Sequence, residues 1–312
     1  MIHTVTLNPA IDKLLFLSEF KKHITNRLQH SEDSLGGKGT HVSINLAALG
    51  LENNAFGIVH GNTGKKILEL LEATGVNVKF LHDYKESEDS RTNYLIIEEN
   101  GDCSTISSKG VYLDEQDIEK LITQLLNTVQ KGDFIILSGD ATNCYDPYVY
   151  NVIIKRLEDL EVKFFLDSSG PTLTNCINEA PYLIKPNLDE LSTLVGKELL
   201  SEEDILLAIE SLSKYNIEII AVSLGGDGSI VKTPDGIYKV IPPKIVPKNP
   251  AGCGDCFLSG IIYGIVKNYS YEETLKYATA ISAATAEFPS SVGFDMSRAK
   301  ELIPLVHIKK LD

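Results

Sequence analysis

The sequence predicts an α/β protein of three layers, a mainly parallel central sheet between two helical layers, with a small β-sheet lid. Two patterns carry that expectation. In the second half, short apolar runs alternate with longer segments whose apolar residues recur at helical spacing, as strands and crossover helices do in a parallel sheet. In the first half, two stretches break this rhythm and read as strands with no helix between them. No internal repeat, low-complexity tract or polar linker divides the chain. A single domain over residues 1 to 312 is expected, with a lid subdomain at about 11–35 and 89–108 inserted in it.

Taken in order, "KLLFLSEF" and "RLQHSEDS" supply the first lid strands, and "RTNYLIIEE" and "CSTISS" the second pair. The Asn-Gly of "ENGD" at 99–102 is a hairpin turn between that second pair. Between the two lid stretches, "GGKGTHVSINLAALG" (36–50) reads as a glycine turn entering a helix that ends at Gly50, and "TGKKILELLEATG" as a second helix. The buried strands of the main sheet are "FIILSG" (134–139), "KFFLD" (163–167), "YLIKPN" (182–187) and "IEIIAVSLGG" (217–226). Helical spacing fills the intervals in "DPYVYNVIIKRLEDL" and "SEEDILLAIESLSKY". Near the end, "GDCFLSGIIYGIV" is an apolar helix leaving a turn of small residues.

Composition narrows the function. With 43 acidic against 29 basic residues and a formal charge of −14, the surface is a poor match to nucleic acid, which rewards clustered Lys and Arg. A phosphorylated ligand would need local positive groups. The opening residues lack a basic region followed by an unbroken apolar stretch, and no run approaches a membrane span, so a cytoplasmic protein is expected. Five cysteines at scattered spacings make no disulfide framework. Cys253 and Cys256 form a C-x-x-C, but no second pair completes a zinc site, and a thioredoxin-like motif belongs after an early strand of a smaller domain.

Several turns carry the makings of a site. "HGNTGKKI" (60–67) is too short between its glycines for a phosphate loop and ends in Lys66 where Ser or Thr is needed, so it reads as a solvated helix start. In "GGKG" (36–39), consecutive glycines let backbone amides approach an anion and Lys38 adds charge at a helix N-terminus. In "NPAGCGDCF" (249–257) a turn of small residues opens a helix whose first amides face outward, and Asp255 in its first turn either accepts a proton or caps the helix. "IKPNLDEL" (184–191) ends a strand and begins a helix, placing Asn187 and Glu190 at the edge where open α/β sheets bind ligands. Both offer oxygens to Mg2+ or its waters, and both also suit a helix cap. "VSLGGDGSIV" (222–231) leaves a strand through glycines, either as a close backbone approach to a nucleotide or as a tight hairpin.

Together, "TLNPAIDK", "GGKGTHVSINLAALG", "SRTN", "KPNLDEL", "SLGGDGS" and "NPAGCGDCFLSG", in this order across nearly the whole chain, resemble the ribokinase-like carbohydrate kinases. The likeness is to the phosphofructokinase B branch that includes tagatose-6-phosphate kinase and 1-phosphofructokinase. It implies a ribokinase-like fold and phosphoryl transfer from Mg2+-ATP to a ketohexose phosphate, with a monovalent cation as an additional candidate. It gives the preference to tagatose 6-phosphate over fructose 1-phosphate. Asp255 would be the base, with the amides of Ala251, Gly252, Cys253 and Gly254 as the anion hole. Asp12, Gly37, His41, Asn93 and Gly139 would lie around the sugar, and Lys38 and Arg91 would hold its existing phosphate. Asn187 and Glu190 would organise Mg2+ and the triphosphate, while Lys185, Ser223, Gly225 and Gly228 would line the nucleotide site. The lid would close over the sugar and could join two copies. His41 stands where this motif usually carries Asn, and "SGDAT" (138–142) replaces a more usual Leu-Pro ending. With the C-x-x-C, the first departure motivates a different reading: a nucleotide- or redox-sensing protein that keeps the fold without turnover.

Overall fold

The computed structural model describes residues 1–83, 88–288 and 290–311. The chain opens in β1 (Ile2–Thr6), crosses to the small sheet through β2 (Ala10–Leu17) and β3 (His30–Gly36), and returns by α1 (Lys38–Ala48) to β4 (Asn53–His60). Helix α2 (Gly61–Glu72) and the short β5 (Asn77–Val78) and β6 (Leu81–Asp83) precede a second visit in β7 (Arg91–Glu98) and β8 (Cys103–Ser107). Strand and helix then alternate through α3 (Glu115–Thr128), β9 (Phe134–Ser138), α4 (Val149–Leu157), β10 (Lys163–Asp167), α5 (Gly170–Cys176) and β11 (Leu183–Ile184). Helices α6 (Leu188–Val195) and α7 (Glu202–Ser211) lead to β12 (Ile219–Ser223), followed by β13 (Ser229–Thr233) and β14 (Gly236–Ile241). Helices α8 (Cys253–Val266), α9 (Tyr271–Ala286) and α10 (Met296–Leu302) precede the closing β15 (His307–Leu311).

Among the described residues the large sheet has eleven strands, ordered β15-β14-β13-β12-β11-β10-β9-β1-β4-β5, with β6 also on β4. From β12 to β5 the pairing is parallel, and β13, β14 and β15 add an antiparallel margin. Alternation along the strands explains the three layers. Ile135 and Leu137 of β9, with Phe164 and Leu166 of β10, pack on the side of α3, α4, α5 and α7. Ile136 and Phe165 face the opposite way, onto α1, α8, α9 and α10. Both faces are dry, so these strands carry continuous apolar runs. Among the described residues no helix is long and apolar enough to cross a membrane.

The small sheet has the order β3-β2-β7-β8. Its strands β2 and β7 run parallel, with Asp12 opposite Asn93, and the hairpin of β7 and β8 turns where the Glu98 amide donates to the Asp102 carbonyl at 2.9 Å. The "YLIKPN" strand proves shorter than the sequence pattern suggests. Its continuous ladder covers only Leu183–Ile184, because Pro186 has no N–H to donate; beyond that, single contacts continue, the Lys185 amide donating to the Leu166 carbonyl at 3.1 Å and the Pro186 carbonyl accepting from the Ser223 amide at 3.0 Å, with an isolated bridge from Asn187 to Ser223.

Phe165 sits at the centre of the second face, fully buried between the rings of Phe134 and Tyr182. Phe165→Ala is expected to lower unfolding stability by about 3–5 kcal/mol, measured as a shifted urea midpoint at unchanged slope.

Candidate active site

At the carboxyl ends of the parallel strands, two glycine-rich turns and the small sheet enclose a cleft of about 220 Å³. Its lining includes Gly37, Lys38 and His41 from α1 and the turn before it, Arg91 from β7, Gly139 after β9, and Gly252 and Asp255 from the start of α8. Thr6, Asn8, Ser138, Asp140 and Ser169 complete it, none of them singled out by the sequence pattern. Asp12 lies buried at its margin, accepting a 2.7 Å hydrogen bond from Asn93 Nδ2. The buried Asn93 Oδ1, Thr6 Oγ1 and Ser138 Oγ have no hydrogen-bond partner among the described residues.

The α8 turn is built for this place. Gly252 caps the helix at φ +79°, and a Cβ there would stand 1.8 Å from the Ser291 carbonyl oxygen, so only glycine fits. Asp255 is not the cap. Its Oδ2 stands 2.8 Å from His41 Nδ1, while the other ring nitrogen, Nε2, is 2.8 Å from the Leu35 carbonyl oxygen. Two of the amides expected in the anion hole have a protein partner in this structure, that of Cys253 being the Pro250 carbonyl at 3.5 Å. The Ala251 amide donates to Asn249 Oδ1 at 3.0 Å, an Asx turn. The amides of Gly254 and Asp255 are among those in the first turn with no intrahelical partner.

Beneath the cleft lies Asp167, the fully buried residue that ends β10. Its Oδ1 receives Lys38 Nζ at 3.0 Å and Lys185 Nζ at 3.3 Å, and Lys38 also approaches Glu190 Oε1 at 3.9 Å. Burial pushes the Asp167 carboxyl up, but the two ammonium groups outweigh it and hold the carboxyl below its ordinary range. Burial likewise pulls the Lys38 ammonium down, and Asp167, Asp255 and Glu190 together raise it above its usual value. Lys38 was expected beside Arg91 at a substrate phosphate. It does line the same cleft, but its charge is committed to Asp167. Arg91 donates from Nε to the Asn8 carbonyl at 3.0 Å, and burial lowers its pKa against the opposing pull of Asp140 and Asp12. Lys185 extends under Gly254, 3.2 Å from where a Cβ would be.

A second cleft, about 490 Å³, is lined by Asn187, Ser223 and Gly225 with residues of α6 and α7. Gly228 does not line it. At φ +95° its Cβ position falls 2.0 Å from the Val240 carbonyl oxygen, so this glycine closes the β13–β14 side of the turn. Asn187 and Glu190 form the capping box of α6: Asn187 Oδ1 accepts from the Glu190 amide at 2.8 Å and Glu190 Oε2 from the Asn187 amide at 2.9 Å. That occupies one carboxylate oxygen and leaves Oε1 turned toward Lys38. Among the described residues no group of three or more His, Cys, Asp or Glu could hold a metal. Magnesium, which keeps several waters and takes one or two carboxylates plus substrate phosphates, fits Glu190 together with the second oxygen of Asp167, which has no hydrogen-bond partner among the described residues.

The C-x-x-C is not activated. Burial pushes the Cys253 thiol up to about 11 and the fully buried Cys256 thiol higher still, so both stay protonated at neutral pH.

A carboxylate beside a helix N-terminus with two lysines close by, one half-buried and one buried, at the carboxyl edge of a parallel sheet with a second cleft adjoining, is an arrangement that suits phosphoryl transfer in an α/β protein. The chain belongs to the pfkB family of carbohydrate kinases, whose family model matches residues 5–293. It is 33% identical over 289 residues to a tagatose-6-phosphate kinase of Staphylococcus epidermidis, covering 92% of each chain. It is 29% identical over 311 residues to a 1-phosphofructokinase of Bacillus subtilis, covering 100% of both. The crystal structure of phosphofructokinase-2 from Escherichia coli in complex with substrates and products has the same fold, with a TM-score of 0.91 at 23% identity, covering 97% of this chain and 98% of that one.

Asp167→Asn removes the shared partner of two lysines and is expected to cost about 3–5 kcal/mol in urea unfolding at neutral pH. Because the folded pKa of Asp167 is depressed, its contribution is full above the unfolded value of 3.8 and is lost as pH falls through the lower folded value. The gap between wild type and variant should therefore narrow in acid.

Proposed function

We propose that the protein transfers the γ-phosphoryl group of ATP to a hydroxyl of a ketohexose phosphate and so makes a bisphosphate. Tagatose 6-phosphate is the preferred acceptor and fructose 1-phosphate the next. The observation that carries this reading is the presence of Asp255 and Arg91 in one cleft: a carboxylate to take a proton from a hydroxyl and a guanidinium to hold a phosphate already on the acceptor. The names of the two relatives support a phosphorylated ketohexose, and the higher identity of the tagatose-6-phosphate kinase supports the order of preference.

In this reading Asp12 and Asn93 orient sugar hydroxyls, and the acceptor hydroxyl lies against Asp255. The nucleotide occupies the cleft of Asn187, Ser223 and Gly225. Magnesium, held by Glu190 and Asp167 through part of its water shell, would neutralise phosphate charge. The amides at the start of α8 receive the charge that builds on the transferring group, with Lys38 and Lys185 close below. Little covalent work falls to the protein, so positioning and charge carry the rate. The small sheet acts as a lid that keeps water from competing as acceptor. Its cross-strand pair Tyr94 and Ile106, both exposed, suits it for contact with a second copy.

Asp255→Asn keeps the shape and removes the base. Turnover is expected to fall by roughly 10²- to 10⁴-fold while ATP affinity by calorimetry stays within a few fold. Undiminished turnover would remove Asp255 from the role.

A further inference from the structure

The ring of His41 is buried between two acceptors. Leu35 offers a carbonyl oxygen from β3, and Asp255 offers a carboxylate oxygen from α8, each 2.8 Å from a different ring nitrogen. A carbonyl only accepts, so Nε2 carries a proton. An ionised carboxylate only accepts as well, so Nδ1 carries the other. The charged groups around the ring are Asp255 on α8, Asp12 on β2, Lys38 one turn earlier on its own helix, and Arg91 and Asp140 across the cleft. Burial pulls the imidazole pKa down, but the Asp255 hydrogen bond and the charges of Asp255 and Asp12 lift it above its usual 6.5.

Resting on the kinase reading above, we propose that His41 is a positioning residue: a buried imidazolium that pins Asp255 by one carboxylate oxygen and ties it to the small sheet through Leu35. The other carboxylate oxygen, Oδ1, then faces the acceptor. During transfer the hydroxyl proton passes to Oδ1 as the hydroxyl oxygen bonds to phosphorus and the bond from phosphorus to the departing ADP oxygen breaks. His41 keeps both its protons throughout. A neutral imidazole has one proton for two acceptors, so it must release either the base or the lid strand. Deprotonation of this single ring thereby uncouples the lid from the chemistry.

The test is 15N NMR of ring-labelled histidine across pH, with the His41 resonances identified by their loss in His41→Asn. The expected result is a doubly protonated ring at neutral pH whose midpoint lies above 6.5 in wild type and falls below 6.5 in Asp255→Asn. A singly protonated ring at neutral pH, or a midpoint indifferent to Asp255→Asn, overturns the proposal. In the matching kinetics, wild-type kcat should decline on the alkaline side as His41 loses its proton. His41→Asn should show kcat lower by up to roughly 100-fold, an unchanged KM for ATP and no such alkaline limb. An alkaline limb persisting in His41→Asn overturns the positioning role even if the variant is less stable. The NMR arm needs no turnover, so an imidazolium found in a protein that phosphorylates none of the sugars would sink the kinase reading. It would also reduce His41 to a structural ion pair, against the proposal.

Discussion

The carboxylate of Asp167 is the point on which the active region is assembled. A buried carboxylate alone would cost several kcal/mol, and here Lys38 and Lys185 approach it at 3.0 and 3.3 Å. These residues come from the end of β10, the start of α1 and the end of β11, so the ion cluster forms only when three crossovers of the sheet have closed together. Lys185 then underlies Gly254 at the start of α8, and Lys38 reaches toward Glu190 on α6. One buried negative charge thus fixes the relative positions of the start of α8, the cleft lined by Asp255 and Arg91, and the α6 corner beside the second cleft.

The same cluster resolves the tension between an acidic protein and an anionic ligand. The chain carries a formal charge of −14, yet two lysines, an arginine and a helix N-terminus converge on one edge of the sheet. Walls of low dielectric make such local charge count for more than the surface total. The acids in and around the cleft are each tied down: Asp167 by lysines, Asp255 by His41, Asp12 by Asn93 and Asp140 by the amide and hydroxyl of Thr142. The arrangement keeps repulsion of a phosphate low while leaving one carboxylate able to take a proton.

The fold was legible because parallel strands buried on both faces must be apolar throughout, and "FIILSG", "KFFLD" and "IEIIAVSLGG" are. The proline that shortened β11 was visible in "KPN". In the candidate site, Lys38, Asn187 and Asp255 stood out because they lie beside glycine turns or strand ends, whereas Arg91 came only from the resemblance of "SRTN" to the family motif. Asp167 did not, since an acid closing an apolar run has no local mark and its partner Lys38 is 129 residues away. Its place at the carboxyl end of a parallel strand was the available signal. His41 was visible only as an unusual residue in a glycine motif, and its pairing joins positions 214 apart. The hydrogen bond of the Ala251 amide to Asn249, two residues back, was not read from the small-residue turn.

The most direct measurement is ADP release with Mg2+-ATP across tagatose 6-phosphate, fructose 1-phosphate, fructose 6-phosphate and unphosphorylated ketohexoses, with the new phosphate located on each product. A cleft in which Arg91 holds an existing phosphate predicts turnover with one or more of the phosphorylated ketohexoses and a bisphosphate as product. Turnover confined to unphosphorylated sugars, or none with any of them, would contradict the account.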